Sequence, residues 1–131
     1  MRALVIDDSR AMRRIVGSIL KDLGFEVREA GDGREALDVL QEGQAEGWVP
    51  DLCCIDWNMP VMDGLQFVLA VRADPAHRQV TLMMVTTESE TGQIVKALAA
   101  GAHEYLIKPF TADALRDKLA MLGVLPEGVP L

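Results

Sequence analysis

Three carboxylates, a hydroxyl and an ammonium recur at one kind of place in this sequence. Asp7 and Asp8 follow the run 3–6, Asp56 follows 52–55, Thr86 follows 80–85, and Lys108 follows 103–107. Carboxylates drawn together repel and resist full ionisation, which a divalent cation relieves. Oxygen donors alone suit Mg²⁺, which keeps several waters and often holds phosphate oxygens as well. Neither His nor Cys stands at these positions, which disfavours zinc. Mg²⁺, a carboxylate, a hydroxyl and an ammonium suit phosphoryl transfer to an aspartate. The Asp56 carboxylate would attack phosphorus and form an acyl phosphate. The cation neutralises charge on the transferring group. Lys108 holds one phosphoryl oxygen as a point charge, and Thr86 donates a hydrogen bond to another.

That chemistry requires the runs to end on one edge. Leu52 to Ile55 is apolar and lies between Pro50 and Pro60, too short for a helix and suited to a buried parallel strand. Strands are predicted at 3–6, 25–29, 52–55, 80–85 and 103–107. Helical spacing fills the gaps. Ser9 caps a first helix with Met12, Ile15, Val16, Ile19, Leu20 and Leu23 inward, stopped at Gly24. A second runs over 34–44 with Ala36, Leu37 and Leu40 inward. A third follows Met62-Asp63-Gly64 with Leu65, Val68, Leu69 and Val71 inward and is bounded by Pro75. A fourth spans 91–100 with Ile94, Val95 and Leu98 inward, and a fifth starts at Thr111 with Leu115, Leu119 and Leu122 inward. Five strands alternating with five helices predict an α/β fold, a doubly wound parallel sheet covered on both faces. Right-handed crossovers then bring the carboxyl ends of all strands to one edge, where such sheets bind ligands.

The 131 residues fit one domain, expected over 1–122, with 123–131 as a short loose tail carrying Pro126 and Pro130. Thirteen basic residues against twenty acidic give a net charge of −7. That disfavours a nucleic-acid partner or an anionic membrane surface. No apolar run approaches the roughly 20 residues of a membrane span. The N-terminus turns acidic at Asp7, too early for a signal peptide, so a cytoplasmic protein is expected. Cys53 and Cys54 are neighbours in one strand and should face opposite ways, which argues against a mutual disulfide and against a shared metal. Trp57 is expected at the surface or rim of the site. His77 and His103 are read as structural, and the methionines as core filler.

The Asp7-Asp8 pair, Asp56-Trp57-Asn58-Met59-Pro60, Met84-Val85-Thr86 with Glu88, and Lys108-Pro109-Phe110-Thr111 together resemble the receiver domain of two-component response regulators, in particular its chemotaxis members. The resemblance covers about residues 2–122. It implies a flavodoxin-like sheet of order 2-1-3-4-5 and Asp56 as phosphoacceptor. It implies Mg²⁺ held by Asp8, Asp56 and the Asn58 carbonyl, with Asp7 acting through water. Thr86 and Lys108 would bind the phosphoryl group, and Thr86 and Tyr105 would switch together. Asn58 and Glu88 would tune phosphoryl lifetime, and the Lys108–Pro109 peptide would be cis. The implied partners are a sensor histidine kinase or phosphotransfer protein upstream. Downstream, a target such as a flagellar motor switch would be bound on the face of helix 4, strand 5 and helix 5. The chain ends soon after the fifth helix, so no DNA-binding helix-turn-helix is expected. One segment departs from the pattern: chemotaxis members carry basic residues just before the fourth helix, and here it reads Ser89-Glu90-Thr91.

Other functions share parts of this signal. A phosphorelay intermediate or phosphate sink would use the same site without a motor target. A Mg²⁺-dependent phosphatase with an Asp nucleophile resembles haloacid dehalogenase-like enzymes, but there a second Asp serves as acid/base. Asn58 stands at that place, and an amide cannot transfer the proton. A flavin domain on fold analogy alone would set its phosphate against an acidic edge.

Overall fold

In the computed structural model, which describes residues 1–126 and Gly128, alternation along the strands sorts side chains onto two faces. The strands are β1 (Arg2–Ile6), β2 (Glu26–Ala30), β3 (Leu52–Ile55), β4 (Thr81–Thr86) and β5 (Glu104–Ile107). The helices are α1 (Arg10–Asp22), α2 (Gly33–Glu46), α3 (Gly64–Arg72), α4 (Thr91–Ala100) and α5 (Ala112–Leu122), with one 3-10 turn at Pro75–His77. Leu4, Ile6, Cys53, Ile55, Leu82 and Met84 point to one face, against Leu40 of α2, Phe67 and Val71 of α3 and Ala97 of α4. Ala3, Val5, Cys54, Met83 and Val85 point to the other, against Val16 and Leu20 of α1 and Leu115 and Leu119 of α5. The two cysteines therefore face opposite ways, and burial pushes both thiols up, to about 12 for Cys54.

All pairings are parallel, in the order β2-β1-β3-β4-β5, the flavodoxin-like order expected. Register aligns the strand ends. Ile6 pairs with Ile55, and the Asp56 amide then donates to the Ile6 carbonyl at 2.9 Å, so Asp7 and Asp56 leave the sheet side by side. Thr86 pairs with Ile107, and the Lys108 amide donates to the Thr86 carbonyl at 2.8 Å. The chain direction reverses its build between β1 and β3, the switch point at which such sheets open a crevice.

Several side chains lie otherwise than their spacing predicts. Ile15 is 50% exposed, because the buried arc of α1 centres on Val16 and Leu20 and leaves Ile15 on its rim. Leu69, Val95 and Leu98 are exposed too, while Phe67 and Ala97 fill the places expected for them. Short helices on the edge of a sheet bury a narrower arc than the apolar residues they carry. Strands β2, β4 and β5 each begin one residue later than predicted. Trp57 is buried, only 6% exposed, packed into the face shared with Phe67 and Val68 rather than set at the rim. The start of the expected loose tail is packed as well: Val124 is buried against the α1–α5 face and its amide donates to the Leu119 carbonyl. Residue 127 and residues 129–131 lie outside the described residues.

Both histidines are structural. His77 is buried with Nδ1 3.2 Å from Asp74, and His103 Nδ1 accepts from the Leu82 amide at 3.1 Å. Arg72, which the sequence does not single out, ties the edge opposite the carboxylates. Its guanidinium donates to the carbonyls of Gly101 at 3.1 Å, Val80 at 2.8 Å and Arg78 at 3.3 Å, joining α3, the segment just before β4 and the α4–β5 turn. Arg72→Met keeps the stem and removes these charged donors. It is expected to cost about 1.5–3 kcal/mol in urea unfolding, with phosphorylation of the folded chain unchanged.

Candidate functional site

Strand ends deliver the acidic cluster directly. A carboxylate oxygen from each of Asp7, Asp8 and Asp56 lies within 4.8 Å of the others. Asp7 and Asp56 are buried and Asp8 is exposed. Asp7 is fully engaged: Oδ1 accepts the Ser9 amide at 2.8 Å, and Oδ2 accepts Lys108 Nζ at 2.7 Å. Asp56 is held more loosely, by the Trp57 amide, the Thr86 hydroxyl and the Lys108 ammonium. Its Oδ1 accepts the Trp57 amide at 2.8 Å, while Oδ2 faces Lys108 Nζ at a looser 3.6 Å. Oδ2 is the Asp56 oxygen turned toward Lys108. Burial raises the Asp56 pKa above its ordinary value, opposed by the Thr86 hydroxyl and then the Lys108 ammonium, with Asp7 pushing it up again.

The cluster of Asp7, Asp8 and Asp56 fits a small hard cation. All donors are oxygens, one carboxylate is open to solvent, and a carboxylate whose charge is disfavoured first by burial and further by Asp7 is what such an ion relieves. Asn58, exposed two residues beyond Asp56, stands in the loop over the same edge.

A second set of contacts runs from this edge into the sheet's far flank. Thr86 Oγ1 accepts the Glu88 amide at 3.3 Å, and the Tyr105 hydroxyl donates to the Glu88 carbonyl at 2.7 Å. Tyr105 is buried, and burial, then Glu88 and Asp56, push its phenol up to about 12. Thr86 at the end of β4 and Tyr105 within β5 thus both bond the backbone of Glu88 in the loop after β4, and Lys108–Pro109 is cis.

Asp7, Asp8, Asp56, Thr86 and Lys108 stand at this edge, Asn58 and Glu88 lie in the loops after β3 and β4, and Tyr105 lies within β5, joined to Glu88 by its hydroxyl. Two supports lay outside the sequence reading. Arg13 reaches back from α1 and donates to the Asp7 carbonyl at 2.6 Å while its Nε meets Glu29 at 3.3 Å. A basic residue in the first turn after an acidic pair was the available signal. Gly64 lets the β3–α3 loop fold back, for a Cβ there would lie 2.2 Å from the Asp56 carbonyl. In the same loop Val61 holds φ at +68° although 81% exposed. A β-branched residue is strained in that region and Val61 packs on little. Val61→Asn is expected to raise stability by about 1 kcal/mol in urea titration, without loss of phosphoryl acceptance.

This sheet order, with an acidic trio and a lysine at its carboxyl edge, is that of a class of signalling domains. The chain matches the model of the response regulator receiver domain over residues 3–120, and it belongs to that family. Within the family it is CheY-like. It is 42% identical over 120 residues to the chemotaxis protein CheY of Pseudomonas aeruginosa, covering 91% of this chain and 93% of the relative. It is equally identical to chemotaxis protein CheY-3 of Vibrio cholerae, covering 91% and 88%. Among solved structures, Vibrio cholerae chemotaxis protein CheY4 superposes with a TM-score of 0.82 at 38% identity, over 92% of this chain and 96% of that one. No helix among the described residues is long and apolar enough to cross a membrane.

Proposed function

We propose that this chain is a cytoplasmic, Mg²⁺-dependent phosphorylation switch whose acceptor is Asp56. The observation that carries the reading is the unequal engagement of the two buried carboxylates: Asp7 is pinned by Ser9 and by Lys108 at 2.7 Å, while Asp56 meets the same ammonium only at a looser 3.6 Å. A sensor histidine kinase or phosphotransfer protein supplies the phosphoryl group. The P–N bond to its histidine breaks as an Asp56 oxygen bonds phosphorus, and the imidazole, carrying a proton on its other ring nitrogen, leaves neutral. Asp8, Asp56 and the Asn58 carbonyl would hold the cation, with Asp7 acting through water. When bound, the cation offsets charge on the transferring group. Lys108 and Thr86 take the remaining phosphoryl oxygens. Thr86 moving toward them would release or redirect the Glu88 amide, and with it Tyr105, which couples the site to the face of α4, β5 and α5.

The donor has a route. An apolar groove of about 490 Å³ lined by Met12, Ile15, Pro109 and Phe110 opens beside Lys108, and the unexpected exposure of Ile15 forms one wall. Nothing here needs turnover: the chain catalyses only its own phosphorylation and dephosphorylation, with Asn58 and Glu88 setting the lifetime. Chemotaxis is the pathway supported by the names of the relatives. A phosphorelay step without a motor target is the second reading, favoured by Glu90 ahead of α4. Intact-mass measurement after incubation with acetyl phosphate tests the switch. One labile phosphate with Mg²⁺ and none after chelation is the expected result. A chain that binds Mg²⁺ but takes no phosphate from acetyl phosphate or a kinase panel would remove the reading.

A further inference from the structure

We propose that the groove between α2 and α3 is a binding site for a small organic ammonium, with His77 Nε2 and the Asp38 and Asp74 carboxylates as its acceptors. The inference goes beyond the switch reading and does not depend on it. A cavity of about 380 Å³ lies there, within the size range of small-ligand sites. Arg34, Asp38, Gln41 and Gln44 line it from one stripe of α2. Val71 of α3, Asp74 and His77 line it from the other side. His77 is only 4% exposed. Its Nδ1 meets Asp74 Oδ2 at 3.2 Å, and a carboxylate there only accepts, so Nδ1 carries the proton. Neutral imidazole then keeps a lone pair on Nε2. Among the described residues, that atom is the buried side-chain nitrogen or oxygen left without a hydrogen-bond partner. Buried polar atoms are nearly always bonded, and an unbonded acceptor calls for an N–H or O–H.

Charge selects among the donors that Nε2 could take. Asp38 and Asp74 are both exposed at the rim. The Ala76 amide, donating to Asp74 Oδ1 at 2.9 Å, holds that carboxyl below its ordinary 3.8, so it is ionised at neutral pH. Arg34 answers Asp38 alone, and loosely, at 3.9 Å. The lining therefore sets two carboxylates against one guanidinium, in a chain of net charge −7. An ammonium brings both the N–H that Nε2 lacks and the opposite charge. An anion meets two carboxylates that repel it. A metal ion is disfavoured, because among the described residues the acidic trio of Asp7, Asp8 and Asp56 is the group whose donor atoms converge, and His77 is not in it. Leu37 and Val71 give the cavity apolar surface for a short hydrocarbon stem. Gln41 and Gln44 are long and exposed, so the rim turns aside to let the ligand reach the buried nitrogen.

The test uses the full chain at mildly alkaline pH and constant ionic strength, with pentylamine, pentan-1-ol and pentanoate as probes of equal length. Amide NMR shifts and long-range proton–nitrogen spectra of the histidine rings are followed through each titration. Pentylamine is expected to bind saturably and about ten-fold or more tighter than the alcohol, with pentanoate weaker still. Its amide shifts should fall on 34–44 and 70–77. His77 Nε2 should move upfield as it gains a donor, while the His103 ring nitrogens stay. Asp38→Asn should weaken the amine several-fold and leave the alcohol unchanged, and Gln41→Trp should fill the groove and remove both. His77→Phe keeps a ring of similar size and should bring the amine down to the alcohol's affinity. Should that buried change unfold the chain, the two exposed variants and the Nε2 shift still decide. Equal binding of amine and alcohol, a preference for pentanoate, shifts confined to the edge of Asp7, Asp8 and Asp56, or an Nε2 that does not move would overturn the proposal.

Discussion

Asp56→Asn yields a chain that accepts no phosphoryl group and is at least as stable as the wild type without Mg²⁺. The two effects have one origin. Asp56 Oδ1 accepts the Trp57 amide, and an asparagine oxygen keeps that bond. The position of Oδ2 becomes an amide nitrogen, which offers no nucleophilic lone pair, so the loss of acyl phosphate in intact-mass spectra is complete. The stability effect follows from the raised pKa. Burial holds the Asp56 carboxyl above its ordinary 3.8, so the folded chain binds that proton more tightly than the unfolded chain. Wild-type stability therefore declines as pH rises through the window above 3.8, and this decline is missing in the variant. Mg²⁺ separates them in the other direction. At a hundred times its dissociation constant the ion stabilises the wild type by about 2.7 kcal/mol, and the variant, short of one carboxylate, retains about 1 kcal/mol or less. Urea unfolding from pH 4 to 8, with and without Mg²⁺, reads all of this. A variant that is still phosphorylated would move the acceptor elsewhere.

The strand ends were legible because two signals coincide there. Leu52 to Ile55 reads as a buried strand from composition alone, and Asp56 stops it. The same holds at Ile6-Asp7 and at Ile107-Lys108, so the five-strand alternation already carried the fold and the edge on which these residues meet. Helix faces were less legible. Val95 and Leu98 have the spacing of a buried stripe, yet they face solvent, because spacing gives a stripe without saying whether anything in the chain covers it. Those two residues are then the more informative for function. Trp57 was misplaced for a related reason: its neighbours Asp56 and Asn58 are polar, but the strand-end residue between them still turns into the core beside Phe67. Arg13, Arg72 and Gly64 act on backbone carbonyls of residues distant in space or sequence. Such partners follow from the folded path and leave no periodic trace.

Lys108→Met is expected to destabilise the chain by about 3 kcal/mol at neutral pH without Mg²⁺, while tightening its hold on the ion. Lys108 is nearly buried, with Nζ 2.7 Å from Asp7 Oδ2 and 3.6 Å from Asp56 Oδ2. Methionine keeps the stem against Pro109 and Phe110 and deletes the charge. Asp7 keeps the Ser9 amide on its other oxygen, which places the cost at the lower end for a broken buried pair. Asp56 loses one of the groups that hold its pKa down, so the proton is bound still more tightly in the folded state. The penalty therefore grows as pH rises above 3.8 and fades toward acid. Mg²⁺ reverses part of it, since the ammonium no longer competes for the same carboxylates, and the ion-dependent gain exceeds that of the wild type. Phosphoryl transfer moves the opposite way, because the group loses the ammonium that would meet one of its oxygens. Tighter cation binding with weaker transfer is a split that simple misfolding cannot produce. If Mg²⁺ instead stabilises the variant no more than the wild type, Lys108 does not share its carboxylates with the cation, and the ion must be assigned to other oxygens.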